Sequence, residues 1–151
     1  MIATTWSCKT FDELSLNELY QILQLRQEVF IVEQDCPYLD ADDKDQKSSH
    51  QCAYDSTGDL IAYTRLVPKG VSYEKYISIG RVLTAQKARG KGLGRPLMHH
   101  SIENARKLFG ESPIKISAQN HLRKYYNSLG FISVGDVYDE DGIPHIAMIL
   151  E

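Results

Sequence analysis

The sequence predicts an α/β (α+β) domain in which one mixed sheet is covered by helices. Three observations carry that expectation. Runs with helical spacing and runs with strand spacing follow one another as helix, strands, helix, strand, helix, strands. The chain has 151 residues, enough for one domain (residues 1–151) with a true core. A glycine-rich turn, Arg89-Gly-Lys-Gly-Leu-Gly94, follows an apolar strand-like run and opens a helix-like run.

Ser15-Leu-Asn-Glu18 has the form of a capping box, in which a hydroxyl and a carboxylate satisfy free amides at a helix start. Leu16, Leu19, Leu23 and Phe30 recur near helical spacing behind it, so a helix is expected over residues 15 to about 30. Ile31-Val32-Glu33-Gln34 leads into Cys36-Pro37-Tyr38, and Pro37 argues against further helix because it lacks an amide hydrogen. An acidic loop follows with Asp40, Asp42, Asp43 and Asp45. It is either solvated or placed near a cationic substrate.

Residues 51–54 and 60–67, joined by Asp55-Ser-Thr-Gly58-Asp59, read as a hairpin that Pro68-Lys-Gly70 ends. Residues 77–83 read as a strand with both faces at least partly covered. Leu93, Leu97, Ser101, Ala105 and Leu108 share one helical face, with Pro96 in the first turn and Gly110 at the end. Ile114, Ile116 and Ala118 mark a short strand, and residues 121–129 a short helix closed by Gly130. Residues 131–137 and 143–150 complete the chain as two strands around Asp139-Glu-Asp-Gly142.

Composition narrows the function classes. The apolar share of 42% and charged share of 25% are those of a globular chain. A net charge of −3 without a basic stripe argues against nucleic acid as a partner. Cys8, Cys36 and Cys52 are odd in number and widely spaced, so they suit neither a disulfide framework nor a zinc site. Reduced thiols, a cytoplasmic location and no metal are the expectation. Residues 1–7 lack the long apolar stretch of a signal peptide, and no apolar run approaches a membrane span.

The glycine turn is the main source of chemistry. Glycines at alternate positions let backbone amides approach a ligand closely, and the following helix aims its positive end at the same point. Arg89 and Lys91 add two cations, so the natural guest is a diphosphate. A dinucleotide fingerprint, G-x-G-x-x-G, fails because the third glycine comes early, at Gly94, and Arg95 holds its place. A Walker loop fails because Leu93 follows Gly92. The bland alternative is a tight turn and nothing more.

Arg89-Gly-Lys-Gly-Leu-Gly94, followed by Leu97-Met98, resembles the acyl-CoA-binding motif of the GNAT N-acetyltransferase superfamily. Tyr126-Asn-Ser-Leu-Gly130-Phe131 is similar to that family's C-terminal tyrosine motif. Further runs narrow the resemblance to the ElaA-like branch. These are the stretch from Leu25 to Tyr38 with Glu33-Gln34 and Cys36-Pro37, Ile79-Gly80-Arg81-Val82, and Glu140-Asp141-Gly142-Ile143-Pro144-His145.

The resemblance implies a strongly curved mixed sheet whose middle strands, residues 77–83 and 114–118, splay apart around acetyl-CoA as cosubstrate. It implies that Arg89, Gly90, Lys91, Gly92, Leu93, Gly94 and Arg95 hold the diphosphate. Val82, its neighbour Leu83, and Thr84 would offer main-chain groups to the pantetheine, and Val82 or its neighbour an oxyanion donor. Gln119 stands where relatives contact the cofactor with asparagine. Tyr126 would meet the departing thiolate, with Tyr125 facing elsewhere; without the resemblance, the two tyrosines could simply pack.

A protonated amine must lose a proton before it attacks. Glu33 and His145 are the candidates to receive it. His145 could instead make a structural hydrogen bond, and Glu33 could bind the amine as an anion. Arg26, Arg65 and Arg81 either pair with carboxylates such as Glu33 or Asp45 or hold a substrate carboxylate. No histidine or aspartate at local spacing supports nucleophilic catalysis by Cys36. The expected function is acetyl transfer to a primary amine of unspecified identity, with a homodimer left open. The alternatives are a non-catalytic acyl-CoA-binding sensor or scaffold and an acyltransferase for longer chains.

Overall fold

Two antiparallel sheets meet at one point. The computed structural model describes residues 3–151, so Met1 and Ile2, part of the stretch read for a leader, lie outside it. In chain order the elements are β1 (Thr5–Thr10), α1 (Leu16–Arg26), β2 (Ser49–Tyr54), β3 (Leu60–Val67), β4 (Ser78–Thr84), α2 (Gly94–Phe109), β5 (Ile114–Gln119), α3 (Arg123–Asn127), β6 (Ile132–Glu140) and β7 (Ile143–Leu150). One sheet has the order β1-β2-β3-β4 and the other β5-β7-β6. A parallel bridge between Ile77 and Ile114 joins them, with the Lys115 amide donating to Ile77 O at 2.9 Å. Beyond it, β4 and β5 share no pairing among the described residues. The mixed sheet thus consists of two antiparallel halves that splay from this bridge.

The capping box closes as its sequence requires. Ser15 Oγ accepts from the Glu18 amide at 3.1 Å, and Glu18 Oε1 accepts from the Ser15 amide at 2.8 Å. Past Arg26 the chain continues as a wider π-helical segment, Gln27–Glu33, which ends three residues beyond the expected helix boundary. The buried stripe is Ile22, Leu25, Arg26 and Val29, while Leu16 is 86% exposed. Apolar spacing misplaced this face because a buried arginine is part of it. In α2, Leu97, Ser101 and Ala105 are buried as expected, but Leu108 is 52% exposed and Met98 is fully buried. The buried Ser101 hydroxyl is satisfied by Leu97 O at 2.7 Å and Thr64 Oγ1 at 2.6 Å. β1 was not anticipated. It is an edge strand with no fully buried residue, so its hydrophobic alternation is weak. Among the described residues, no helix is long and apolar enough to cross a membrane.

The two faces of the first sheet carry different helices. Ile22, Leu25 and Val29 of the α1 region pack with Cys52, Tyr63 and Leu83. Met98 and Ala105 of α2 pack with Ile77, Ile79, Ile114, Ile116 and Met148, bridging the two sheets. Ile79 and Leu83 have the same parity on β4 yet lie on opposite faces. The switch comes from a β-bulge: Tyr63 pairs with Leu83 and Arg65 with Gly80, leaving Arg81 and Val82 opposite Thr64 alone. Arg81 takes φ 49°, a left-handed conformation rare for a side chain of this size.

Three arginines and three aspartates form a closed ring beside this bulge. Arg26 Nε donates to Asp40 Oδ2 at 2.8 Å and its Nη1 to Asp45 Oδ1 at 2.7 Å. Arg65 reaches Asp45 Oδ1 at 2.9 Å and both Asp42 oxygens at 2.7 and 2.8 Å. Arg81 Nε donates to Asp40 Oδ1 at 2.8 Å, and its Nη2 lies 3.4 Å from Asp42 Oδ2. The arginines therefore pair internally, and the acidic loop spends three of its carboxylates on them. It is neither a solvated loop nor an open surface for a cation.

Burial alone would raise the Asp42 carboxyl, but the Arg65 hydrogen bonds and charge, with Arg81 behind them, hold it at about 2. Asp45 is also held below its ordinary value, against burial, by Arg26 and Arg65. A carboxyl depressed in the folded state stabilises above its unfolded value, about 3.9, and loses that contribution as pH falls through the folded value. The urea midpoint is therefore expected to drop as pH falls from about 4 to about 2. Asp42→Asn should lower the midpoint at pH 6 and flatten that drop; a variant as steep as wild type would contradict the assignment.

Candidate active site

A cleft of about 980 Å³ occupies the gap where β4 and β5 part. Ile79, Val82 and Thr84 line one wall, and Ile116, Ser117 and Gln119 the other. Arg89, Gly94 and Leu97, with Tyr125 and Tyr126, close one end. Phe30, Cys36 and Tyr38, with Glu140, Asp141 and His145 of the β6–β7 hairpin, complete the lining, and Glu33 stands beside Arg89.

The β4 wall presents main chain. The Ala85 amide bonds Ile61 O at 2.8 Å, so Ala85 and, two residues back, Leu83 turn their backbone groups to β3. Alternation then turns Thr84 to the free edge, while Val82 sits at the bulge, where the alternation is broken. Arg89 Nε donates to Thr84 O at 3.0 Å from that side, as the alternation requires. Of the three residues singled out here, Thr84 offers backbone to the cleft, Val82 lines it at the bulge, and Leu83 touches it with a largely buried side chain.

The glycine turn leaves its amides free. Among the described residues, no acceptor takes a hydrogen bond from the amides of Gly90, Gly92, Leu93 or Gly94. Gly90 and Gly92 have φ of 74° and 75°, a conformation glycine adopts without strain, and a Cβ at either would project into open space. A Cβ at Gly94 would lie 3.1 Å from the Tyr125 hydroxyl. Lys91 is exposed on the turn, while the Leu93 side chain packs inward with Ala88 and Leu97. Arg95 Nη2 donates to Ser128 Oγ at 2.8 Å. Unbonded amides, flanking cations and the start of α2 fit a diphosphate. The charge of Arg89 is engaged differently: its Nη1 donates to Glu33 Oε2 at 2.6 Å, so these two residues meet directly across the cleft mouth.

Tyr126 is 5% exposed and stands edge-on to Phe131 and to Tyr125, with ring centres 5.9 and 5.2 Å away. No protein group among the described residues bonds its hydroxyl. Burial, with a smaller contribution from Tyr125, pushes its phenol well above the ordinary value, so it is a neutral donor at physiological pH. Tyr125 does not face elsewhere. It lines the same cleft, its phenol also raised by burial. Gln119 ends β5 with its side chain at the cleft.

His145 is held from both sides. Its Nδ1 lies 2.7 Å from Ile143 O and its Nε2 3.2 Å from Glu140 Oε2. Glu140 also accepts from Ser117 Oγ at 3.3 Å, and Ser117 bonds the Tyr138 hydroxyl. The structural hydrogen bond expected of His145 is therefore present, and the residue still lines the cleft. Cys36 donates to Asp141 O at 3.1 Å, tying the loop after the π-helical segment to the hairpin turn. Tyr38, Ser117, Glu140 and Asp141 were not singled out as site residues from sequence. Tyr38, Glu140 and Asp141 lie inside the branch-specific runs, which was the only signal for them.

Comparison with known proteins agrees with this geometry. The family model described as an acetyltransferase (GNAT) domain matches residues 18–151. The UPF0039 protein sll0451 of Synechocystis sp. is 42% identical, over 95% of this chain and 93% of that protein. Protein ElaA of Escherichia coli is 40% identical, over 97% of this chain and 95% of that protein. The crystal structure of an acyl-CoA N-acyltransferase from Pseudomonas aeruginosa superposes with a TM-score of 0.93 at 44% identity, covering 99% of this chain and 100% of that one. With the splayed strands, the free amides of the glycine turn and the family match pointing the same way, the chain belongs to the GNAT acetyltransferase family, a family of acyl transfer.

Proposed function

We propose that this chain is an N-acetyltransferase that moves an acetyl group from acetyl-CoA to the primary amine of a small molecule, peptide or protein by direct attack in a ternary complex. The observation that carries the reading is the make-up of one cleft. It is lined by Arg89 and Gly94 of the glycine turn, by the buried phenol of Tyr126, and by Glu33 and His145, two groups able to take a proton.

Acetyl-CoA supplies an activated acyl group as its thioester. The amides of Gly90, Gly92, Leu93 and Gly94, with Lys91 and Arg95, hold the diphosphate, and Arg89 joins them by exchanging Glu33 for phosphate. Val82, Thr84 and Gln119 bond the pantetheine, alongside the Leu83 side chain. The Val82 amide receives the oxyanion that forms as the amine attacks. Glu33 draws the ammonium into the cleft as an anion, and Glu33 or His145 takes its proton. Tyr126 donates a hydrogen bond to the departing thiolate. A thiol has an ordinary pKa of about 8.5, below that of a phenol, so this donor stabilises the thiolate without handing over its own proton, and the second proton, shed by the nitrogen as the tetrahedral intermediate collapses, leaves to solvent. Cys36 is engaged with Asp141 O and has no basic partner, in keeping with direct transfer.

Thiol release from acetyl-CoA, measured with a panel of amines, tests the reading. Turnover that needs an amine and is faster with acetyl-CoA than octanoyl-CoA is the expected result. No release with any amine would favour a sensor or scaffold, and faster octanoyl transfer an enzyme for longer chains. Tyr126→Phe should lower kcat by roughly 10²-fold while leaving acetyl-CoA affinity near wild type; unchanged turnover would remove this residue from the reaction. Gly92→Val strains the turn and fills the open side with methyl groups. It should abolish the rise in Tm that acetyl-CoA produces by mass action while circular dichroism stays native. A full Tm shift in the variant would show that the turn is not the cradle.

A further inference from the structure

We infer that Arg89 plugs the cofactor cleft of the free protein. One guanidinium occupies both the Thr84 carbonyl and the Glu33 carboxylate, and the diphosphate of acyl-CoA draws it off both. The inference rests on the acyl-transfer reading, which gives Thr84 to the pantetheine and Glu33 to the acceptor amine. It adds that neither group is free until acyl-CoA has bound.

The local chain explains how one side chain reaches both groups. Arg89 directly follows the short 3₁₀ turn Gln86–Ala88 that leads out of β4, and its amide closes that turn on Gln86 O at 3.3 Å. Its side chain folds back along the strand it has left, so that Nε donates to Thr84 O at 3.0 Å. Nη1 of the same guanidinium donates to Oε2 of Glu33, the last residue of the π-helical segment, at 2.6 Å. Thr84 O lies on the edge that β3 does not use, where a neighbouring strand would otherwise supply an amide. A side chain fills that place here.

The other cations assigned to the diphosphate are held differently. Among the described residues, Lys91 makes no ion pair, and Arg95 donates to a hydroxyl, Ser128 Oγ, at 2.8 Å. Of the three, Arg89 alone is neutralised by a carboxylate, and that carboxylate is one the reaction needs. The contact is also built to exchange. Arg26 is fully buried with its aspartates, whereas Arg89 and Glu33 are both exposed, so water takes up each partner when they separate. A diphosphate carries more charge than one carboxylate and matches the planar fork of a guanidinium. Once the fork turns to phosphate, Thr84 O is open to a pantetheine amide and Glu33 to an ammonium group.

Two sets of titrations test this without an acceptor. S-acetylpantetheine has the thioester and the amide-bearing arm but no diphosphate, so in the wild-type protein it must displace the plug unaided. In Arg89→Ala it should bind about three- to fivefold tighter, the upper range for parting an exposed ion pair. Acetyl-CoA, which loses a phosphate ligand, should bind the same variant more weakly. A residue that only holds phosphate would leave S-acetylpantetheine affinity unchanged, and that result would overturn the plug.

The second set follows acetyl-CoA alone. Glu33→Gln weakens the competitor and should tighten acetyl-CoA binding by about threefold. In the Arg89→Ala background the same substitution should change affinity by no more than about 1.5-fold, because there is no plug left to weaken. An equal gain in both backgrounds would mean general repulsion between Glu33 and the diphosphate, and would overturn the plug while leaving acyl transfer intact. No binding of acetyl-CoA to the wild-type protein would remove the acyl-transfer reading, and the plug with it.

Discussion

The parting of β4 from β5 after one bridge is the constraint on which this molecule is built. A strand edge inside a folded domain ordinarily finds a partner, because an unpaired amide or carbonyl away from water is costly. Here β4 lines a cleft with Val82 and Thr84 instead. The two half-sheets cannot zip further, because the β4 bulge turns the strand and the helices fill opposite faces. α1 packs against Leu83 while α2 bridges Ile77, Ile79 and Ile114. The fold therefore keeps a slot of free backbone groups open, and acyl-CoA, with its amide-rich arm and diphosphate, is a guest that can satisfy them.

Electrostatics separates structural from chemical charges. The ring is neutral in sum and mostly buried, and breaking such a pairing typically costs several kcal/mol because a charge is left without a partner. The Glu33–Arg89 pair differs. Each side chain is 39% exposed, and a pair at that depth is generally worth no more than about 1 kcal/mol. It links a residue read as a phosphate ligand to one read as a proton acceptor or amine anchor. In the proposed reading, a diphosphate arriving at Arg89 would compete with Glu33 for the guanidinium.

Much of this was legible in the sequence, and the exceptions have physical causes. The capping box at Ser15 and Glu18, the hairpin, the glycine turn and the start of α2 follow local rules and appear where those rules put them. β1 escaped because a half-buried edge strand carries little alternation. The stripe of α1 was mislocated because Arg26 sits where an apolar residue would be expected. The bulge at Arg81 had no signal, since the only nearby glycine precedes it. The arginines could be paired with carboxylates in principle, but their particular partners, Asp40, Asp42 and Asp45, are set by a loop whose path only tertiary structure defines. The lining by Tyr38, Glu140 and His145 was readable only through the runs shared with the family, because these residues are brought together from segments far apart in the chain.

Hydrogen exchange at the glycine turn examines the central claim most directly. The amides of Gly90, Gly92, Leu93 and Gly94 have no internal acceptor, so they should exchange rapidly in the free protein and slow markedly once CoA is bound at saturation. If CoA binds and exchange at these four amides is unchanged, the diphosphate is held elsewhere and the account of this cleft is wrong.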